Sequence, residues 1–270
     1  MFSAPQQKRT GFTAAYEMVA VTYHATVRAA RGKGENALYG LLASVFQTVF
    51  MVAAIYFSMY ILGWRAHQFR GDYILFLMVG VISYGTYNRA MRGVYGADGP
   101  TSPMLQHAPL NTIVSIASAA LAGLYIQFLS TFLVLAGYHL LVRPIEIQNP
   151  AFAVMLLLAA WIFGIATGLL LMAVRPWWPR GAPLLMMVVS RANVFFSGKM
   201  MVANAMSYTT LRCFDWNPLF HVVDQLRGAV FLNYIPRNSE VPYIFEISAA
   251  LIAVGLMGEF IGRKRARMAW

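Results

Sequence analysis

Residues 36–64, NALYGLLASVFQTVFMVAAIYFSMYILGW, contain no charged side chain. At about 1.5 Å of rise per residue this is roughly 43 Å of helix, more than the ~30 Å hydrocarbon core of a bilayer. A helix satisfies its backbone internally, so a membrane can hold such a stretch without water. The stretch therefore predicts an integral membrane protein.

The surrounding chain agrees. Of 270 residues, 59% are hydrophobic and 11% charged, and the mean hydropathy is +0.57. This balance lies far from that of a soluble domain and predicts one polytopic domain with short connections. The formal charge of +11 is read as basic loops held on the cytoplasmic side, not as a nucleic-acid footprint. Cys213 is a lone cysteine, which predicts no disulfide framework. The leading residues MFSAPQQKRTGF do not read as a removable signal peptide.

Outward from the first span, Phe12, Tyr16, Val19, Tyr23 and Val27 share one helical face, with Thr13, Glu17, His24, Arg28 and Arg31 opposite. The pattern predicts an amphipathic helix lying in the membrane interface; packing on a soluble partner is the alternative. Further spans are predicted from Tyr73 past Arg89 and Arg92 towards Gly96, from Leu110 to Val142, and from Ala151 to Val174. The two arginines are placed at the inner membrane edge, snorkelling to phosphates or contacting substrate. Gly164 and Gly168 form a small-xxx-small pair that could admit a neighbouring helix. Between Pro183 and Arg227 the apolar runs are interrupted by Arg191, Lys199 and Arg212. Asn217-Pro218 reads as a helix start, with Asn as cap and Pro at the first position. The helix that follows is expected to bury Leu219, Val222, Val223, Leu226 and Val230, with His221, Asp224 and Gln225 on its other side. It is too short to cross and reads as re-entrant or interfacial. A last span runs from about Tyr243 to Gly262, before the basic tail RKRARMAW.

Six crossings place both termini on one side. Lys8, Arg9, Arg28, Arg31 and Lys33 precede the first span, and Arg263, Lys264, Arg265 and Arg267 follow the last. Both ends are therefore predicted to be cytoplasmic.

The residues offer little chemistry of their own. No G-x-x-x-x-G-K-[ST] occurs, since Gly198-Lys199 is followed by Met200, and there is no H-E-x-x-H or G-x-S-x-G. No catalytic and no metal-binding residue is assigned. His221 and Asp224 read as a polar pair on a helix surface rather than a catalytic or metal pair. Glu259 is expected to pair with Arg263, and Glu246 has no assigned role. The aromatics of the first span, Phe46, Phe50, Tyr56, Phe57 and Tyr60, suit lipid, packing or the faces of sugar rings.

The order of parts resembles the membrane subunit of a type-2 ABC exporter, in particular the permeases that export capsular polysaccharide or lipid-linked O-antigen in bacteria. The likeness is carried by FFSGKM (195–200) and DWNPLFHVVDQLRG (215–228), above all Asn217, Pro218, His221, Arg227 and Gly228. Between them MMVANAMSYTTL (200–211) lacks the prolines usual in the family. The resemblance implies an all-α membrane protein of six transmembrane helices, with an N-terminal amphipathic interface helix and re-entrant helices between the fifth and sixth spans. It divides the chain into a cytoplasmic segment 1–36, a transmembrane domain 37–262 with a re-entrant region at about 199–232, and a cytoplasmic tail 263–270. It further implies a homodimer in the bacterial inner membrane, working with two copies of an ABC ATPase subunit that binds ATP and magnesium. This chain itself would be no enzyme and bind no cofactor. The cargo would be a polysaccharide moved from cytoplasm to periplasm, with periplasmic export proteins as further partners and no nucleic acid.

Under that resemblance, Phe46, Phe50, Tyr56, Tyr60 and Arg89 are candidates to line the substrate path. Arg28, Arg31 and Arg89 are candidates to contact an anionic lipid linker. Ser102, Met104, Leu105, Gln106 and His107, in the proline-rich loop 97–109, are candidates to couple to the ATPase. An ABC exporter of a small hydrophobic compound, an intramembrane enzyme acting on a lipid-linked sugar, and a proton-coupled carrier using Glu246 and Glu259 are the alternatives.

Overall fold

The computed structural model describes residues 11–31, 37–61, 71–97 and 112–268. The main helices are α1 (Gly11–Arg31), α2 (Ala37–Ile61), α3 (Tyr73–Gly96), α4 (Thr112–Leu141), α5 (Pro150–Val174) and α6 (Ala182–Phe196). They are followed by a 3-10 turn (Ala203–Ala205), a single-turn α7 (Tyr208–Leu211), α8 (Pro218–Val230) and α9 (Val241–Met268).

Local sequence sets several of these starts. The Asp72 carboxylate accepts from the backbone N–H groups of Ile74 and Leu75 at 3.0 and 3.3 Å and opens α3. Asn149 and Asn217 cap α5 and α8 in the same way, each followed by a proline at the first helical position, where the missing N–H costs nothing.

Among the described residues, four helical stretches are long and apolar enough to cross a membrane: Leu38–Ile61, Thr112–Leu141, Pro150–Val174 and Val241–Gly262. Helix α3 has the bounds expected of the second span and does continue past Arg89 and Arg92. Helix α6, where a fifth span was expected, has 15 residues. It rises only about 22 Å.

Helix α3 is the axis of the bundle, with Phe76, Leu77, Tyr87, Met91 and Val94 completely buried. It is wrapped by α2, α4, α5 and α8. Gly164 and Gly168 make the α3–α5 crossing possible: a Cβ there would lie 2.4 Å from the Tyr87 carbonyl oxygen and 2.7 Å from that of Met91. Lipid tails are as apolar as leucine, so helices in a bilayer associate through such close approach instead of hydrophobic expulsion from water. The small-residue expectation thus holds at a specific contact. Helix α9 crosses α5 similarly at Gly255 and Gly258.

Polar ties fix the remaining neighbours. Trp161 Nε1 donates to the Ala120 carbonyl at 2.9 Å, joining α5 to α4. Arg175 donates to the Tyr95 and Ala97 carbonyls and fastens the end of α5 to the end of α3. Helix α1 packs mainly on α4. Tyr16, Val19 and Tyr23 of its predicted apolar face stay exposed.

Candidate functional site

A cavity of about 440 Å³ opens between α1, α2, α3 and α4. Its space comes from small residues: Gly85 and Gly93 on α3, and Ala119, Ala122 and Gly123 on α4. Arg89 and Gln127 fill part of it. A Cβ on Gly123 would touch Arg89 Cγ at 3.4 Å, and one on Gly85 would press on the Gln127 amide at 3.2 Å. The other polar groups on its wall include Ser44, Gln47 and Thr48 from α2, and Asn88 and Arg92 from α3.

Arg89 Nε donates to Gln127 Oε1 at 3.2 Å. That bond uses one of the five N–H donors of a guanidinium, a group shaped to grip carboxylate or phosphate with two parallel bonds. Arg92 donates to Asn88 Oδ1 and Ser190 Oγ, both at 3.3 Å, and Ser190 donates to Asn88 Oδ1 at 2.7 Å. Arg89 is therefore not snorkelling outward, as expected for the membrane edge; it lines the space between helices. An ionisable group inside a bundle of apolar helices marks a pathway or a binding site by default.

Lys199 stands behind the same wall. Its backbone packs so tightly on α3 that a Cβ on Gly80 would lie 3.0 Å from the Lys199 Cα. Its ammonium sits 3.9 Å from the Tyr84 ring centroid and 3.9 Å from the Met51 sulfur. Tyr84 and Met51 both line the cavity.

The two motifs that carried the resemblance form one structural unit. Gly198, within the run FFSGKM and just past the end of α6, has φ +64°, a conformation open to glycine at a helix end. The Arg227 guanidinium reaches across from α8 and donates to the carbonyls of Gly198, Lys199 and Met201 at 3.2, 2.7 and 2.7 Å. It also lies 3.7 Å from the Phe76 ring centroid on α3. Asn217 caps α8 with its oxygen while its Nδ2 donates to Asn193 Oδ1 and the Phe196 carbonyl, both at 3.0 Å. Asn217 thus ties the start of α8 to the end of α6, and Arg227 ties α8 to the turn that follows it. Gly228 leaves room for Pro236, whose Cδ would lie 2.7 Å from an added Cβ.

One expectation for α8 is overturned. His221 and Asp224 are buried, at 5% and 1% exposure, and they do not form a pair on a free surface. His221 Nδ1 accepts from the Glu240 backbone N–H at 2.9 Å, so Nε2 carries the proton and donates to the Asp215 carbonyl at 2.7 Å. Asp224 accepts from the Tyr234 hydroxyl and from Ser239 Oγ. Burial and the adjacent carboxylate raise the Tyr234 phenol above its ordinary pKa, keeping it a donor. The polar side of α8 meets folded loops instead of water.

The remaining candidates are scattered. Phe46, Phe50, Tyr56 and Tyr60 are exposed on α2, and Arg28 is exposed on α1. The side chain of Arg31 and the coupling candidates Ser102, Met104, Leu105, Gln106 and His107 lie outside the described residues. So does the Arg263 side chain expected opposite Glu259, which is itself buried. Glu246 is exposed. Gln127, Asn88 and Ser190 were not anticipated. The signal for Gln127 was present, as a lone amide within an apolar 30-residue helix.

No family model matches the chain. It is similar to the polysialic acid transport protein KpsM of Escherichia coli, 24% identical over 205 residues, covering 73% of this chain and 76% of that protein. This likeness supports the resemblance to the membrane subunit of type-2 ABC exporters.

Proposed function

We propose that this chain is the transmembrane subunit of an ATP-driven exporter that carries a polysaccharide from the cytoplasm to the periplasm across the bacterial inner membrane. It works as a homodimer with a separate ATPase. The observation that carries this reading is the arginine-bearing cavity between α1, α2, α3 and α4, next to the exposed aromatic face of α2. Likeness to a polysialic acid transport protein supplies the cargo class.

In this reading α3 crosses too, and α6 together with the segment that follows it makes the fifth of six spans. Lys199 packs on Gly80, seven residues into α3, about 10 Å along its axis from Tyr73. The turn after α6 therefore lies within the thickness of the bundle. From there α8 runs to the start of α5, where the Gln148 and Asn149 N–H groups donate to the Val230 and Ala229 carbonyls. We read this segment, which turns inside the bundle, as the re-entrant region, and irregular backbone is tolerated there where protein surrounds it.

Arg89 then supplies the grip for an anionic group joining glycan to lipid, and the exposed α2 ring faces supply a path for the sugar chain. ATP-driven closure of the partner would act through 102–107 and shift the bundle between two states that the partner binds unequally.

Export of glycan in cells tests this. Deleting the chain should trap the polymer inside, and the wild-type chain should restore it to the surface. Restoration without any ATPase neighbour would overturn the proposal.

A further inference from the structure

A second concave site, of about 580 Å³, lies at the end of the molecule where α9 begins. It is walled by Trp216 and Tyr243 and rimmed by Arg212, Asp215, Arg237 and Glu240. Asp215, Trp216, Arg237 and Glu240 are exposed there.

The two rims are fixed from below. One buried imidazole, His221, bonds the backbone of Asp215 on one rim and of Glu240 on the other. Buried Asp224 holds Ser239 Oγ at 2.7 Å, and Gln225 holds the Ser239 carbonyl at 2.8 Å. The Trp216 indole N–H donates to the Cys213 carbonyl at 2.8 Å, and Tyr243 donates to the Trp216 carbonyl at 2.9 Å. The ring is thus held by its edge and backbone, with much of its surface left open, at 59% exposure. A site held in advance loses little order when a ligand enters.

The chemistry of the lining is selective. An aromatic face offers an apolar platform, carboxylates accept from hydroxyl groups, and guanidinium groups donate to them. Two cations, Arg212 and Arg237, offset two anions, Asp215 and Glu240, so the site carries no strong net charge for a polyanion or a lipid phosphate. A ring with one apolar face and a hydroxyl-bearing edge matches all of these features.

We propose that this pocket binds a pyranose unit of the exported glycan as it leaves the bundle, a role that rests on the exporter reading above. Trp216 stacks on the ring and Asp215, Arg237 and Glu240 engage its hydroxyls. His221 is a positioning residue that sets the distance between the rims.

The test uses the full chain with its ATPase in cells that make the glycan. A photoreactive p-benzoylphenylalanine is placed at Leu211, on the pocket wall, and separately at Phe46 on α2. The pocket predicts a carbohydrate-bearing adduct at Leu211. Trp216→Ala in the same chain should reduce that adduct about tenfold, and Trp216→Phe should restore most of it. Glu240→Gln changes only an exposed rim group and should also reduce the adduct, which guards against a folding defect in Trp216→Ala. Glycan captured at Phe46 with only a protein band, or nothing, at Leu211 would overturn the pocket and leave the exporter standing. Equal capture in wild type, Trp216→Ala and Glu240→Gln would also overturn it. Glycan captured at neither position would overturn the exporter reading itself.

Discussion

Arg89 and Arg227 are both arginines withdrawn from water, and their surroundings give them opposite roles. The terminal nitrogens of Arg227 bond three backbone carbonyls, so its role is architectural. Arg227→Met should leave those carbonyls without their donor, at a cost of about 3 kcal/mol or more. The check is a lowered melting temperature of the detergent-solubilised protein. Arg89 makes one side-chain bond inside a cavity, so Arg89→Gln should leave the fold intact and cut surface glycan by roughly tenfold or more, the worth of a charge-assisted contact. Arg89→Lys should rescue only in part, because an ammonium cannot form the paired fork. Unchanged export in Arg89→Gln would remove this residue from the path.

At the scale of elements, starts and stops were the legible part of the sequence. Asn217-Pro218 announced α8, and the continuation of α3 past Arg89 and Arg92 could be read because the charge-free run alone was too short to cross. The apolar side of α8 is buried as expected, at Leu219, Val222, Val223, Leu226 and Val230, but the surroundings of its polar side were misread for a physical reason. Periodicity separates an apolar side from a polar one, but it does not say that the polar side faces water. Here residues 198–201 and 234–240 fold over it, and that contact is not written in local spacing. The cavity was hidden for the same reason, since Arg89 and Gln127 meet only once α3 pairs with α4. The glycines provide the element-scale test. Gly164→Leu should force α3 and α5 apart and lower the yield of folded protein severely, because a backbone carbonyl already stands 2.4 Å from the added Cβ position. Gly137, where nothing lies within 4 Å, should accept alanine with little change in yield. Size-exclusion profiles of the two variants make the comparison directly.

For the whole molecule, α2 and α6 present apolar faces outward, including Phe46, Phe50 and Phe57 on one and Leu184, Val188 and Phe195 on the other. Under the homodimer we propose, these faces would meet the partner copy and the cargo between them. With the exposed Cys213 changed to serine, a cysteine replacing Phe46 should give a disulfide-linked dimer in membranes, whereas one replacing Phe260 on α9 should not. The central claim is that this chain moves its cargo only when driven by a nucleotide-hydrolysing neighbour. It is tested most directly by purifying the tagged chain from gently solubilised membranes and assaying what comes with it. The account predicts a co-purifying P-loop protein, ATP hydrolysis by the complex, and none by the chain alone. A chain that purifies without such a protein from membranes still competent in glycan export would contradict it.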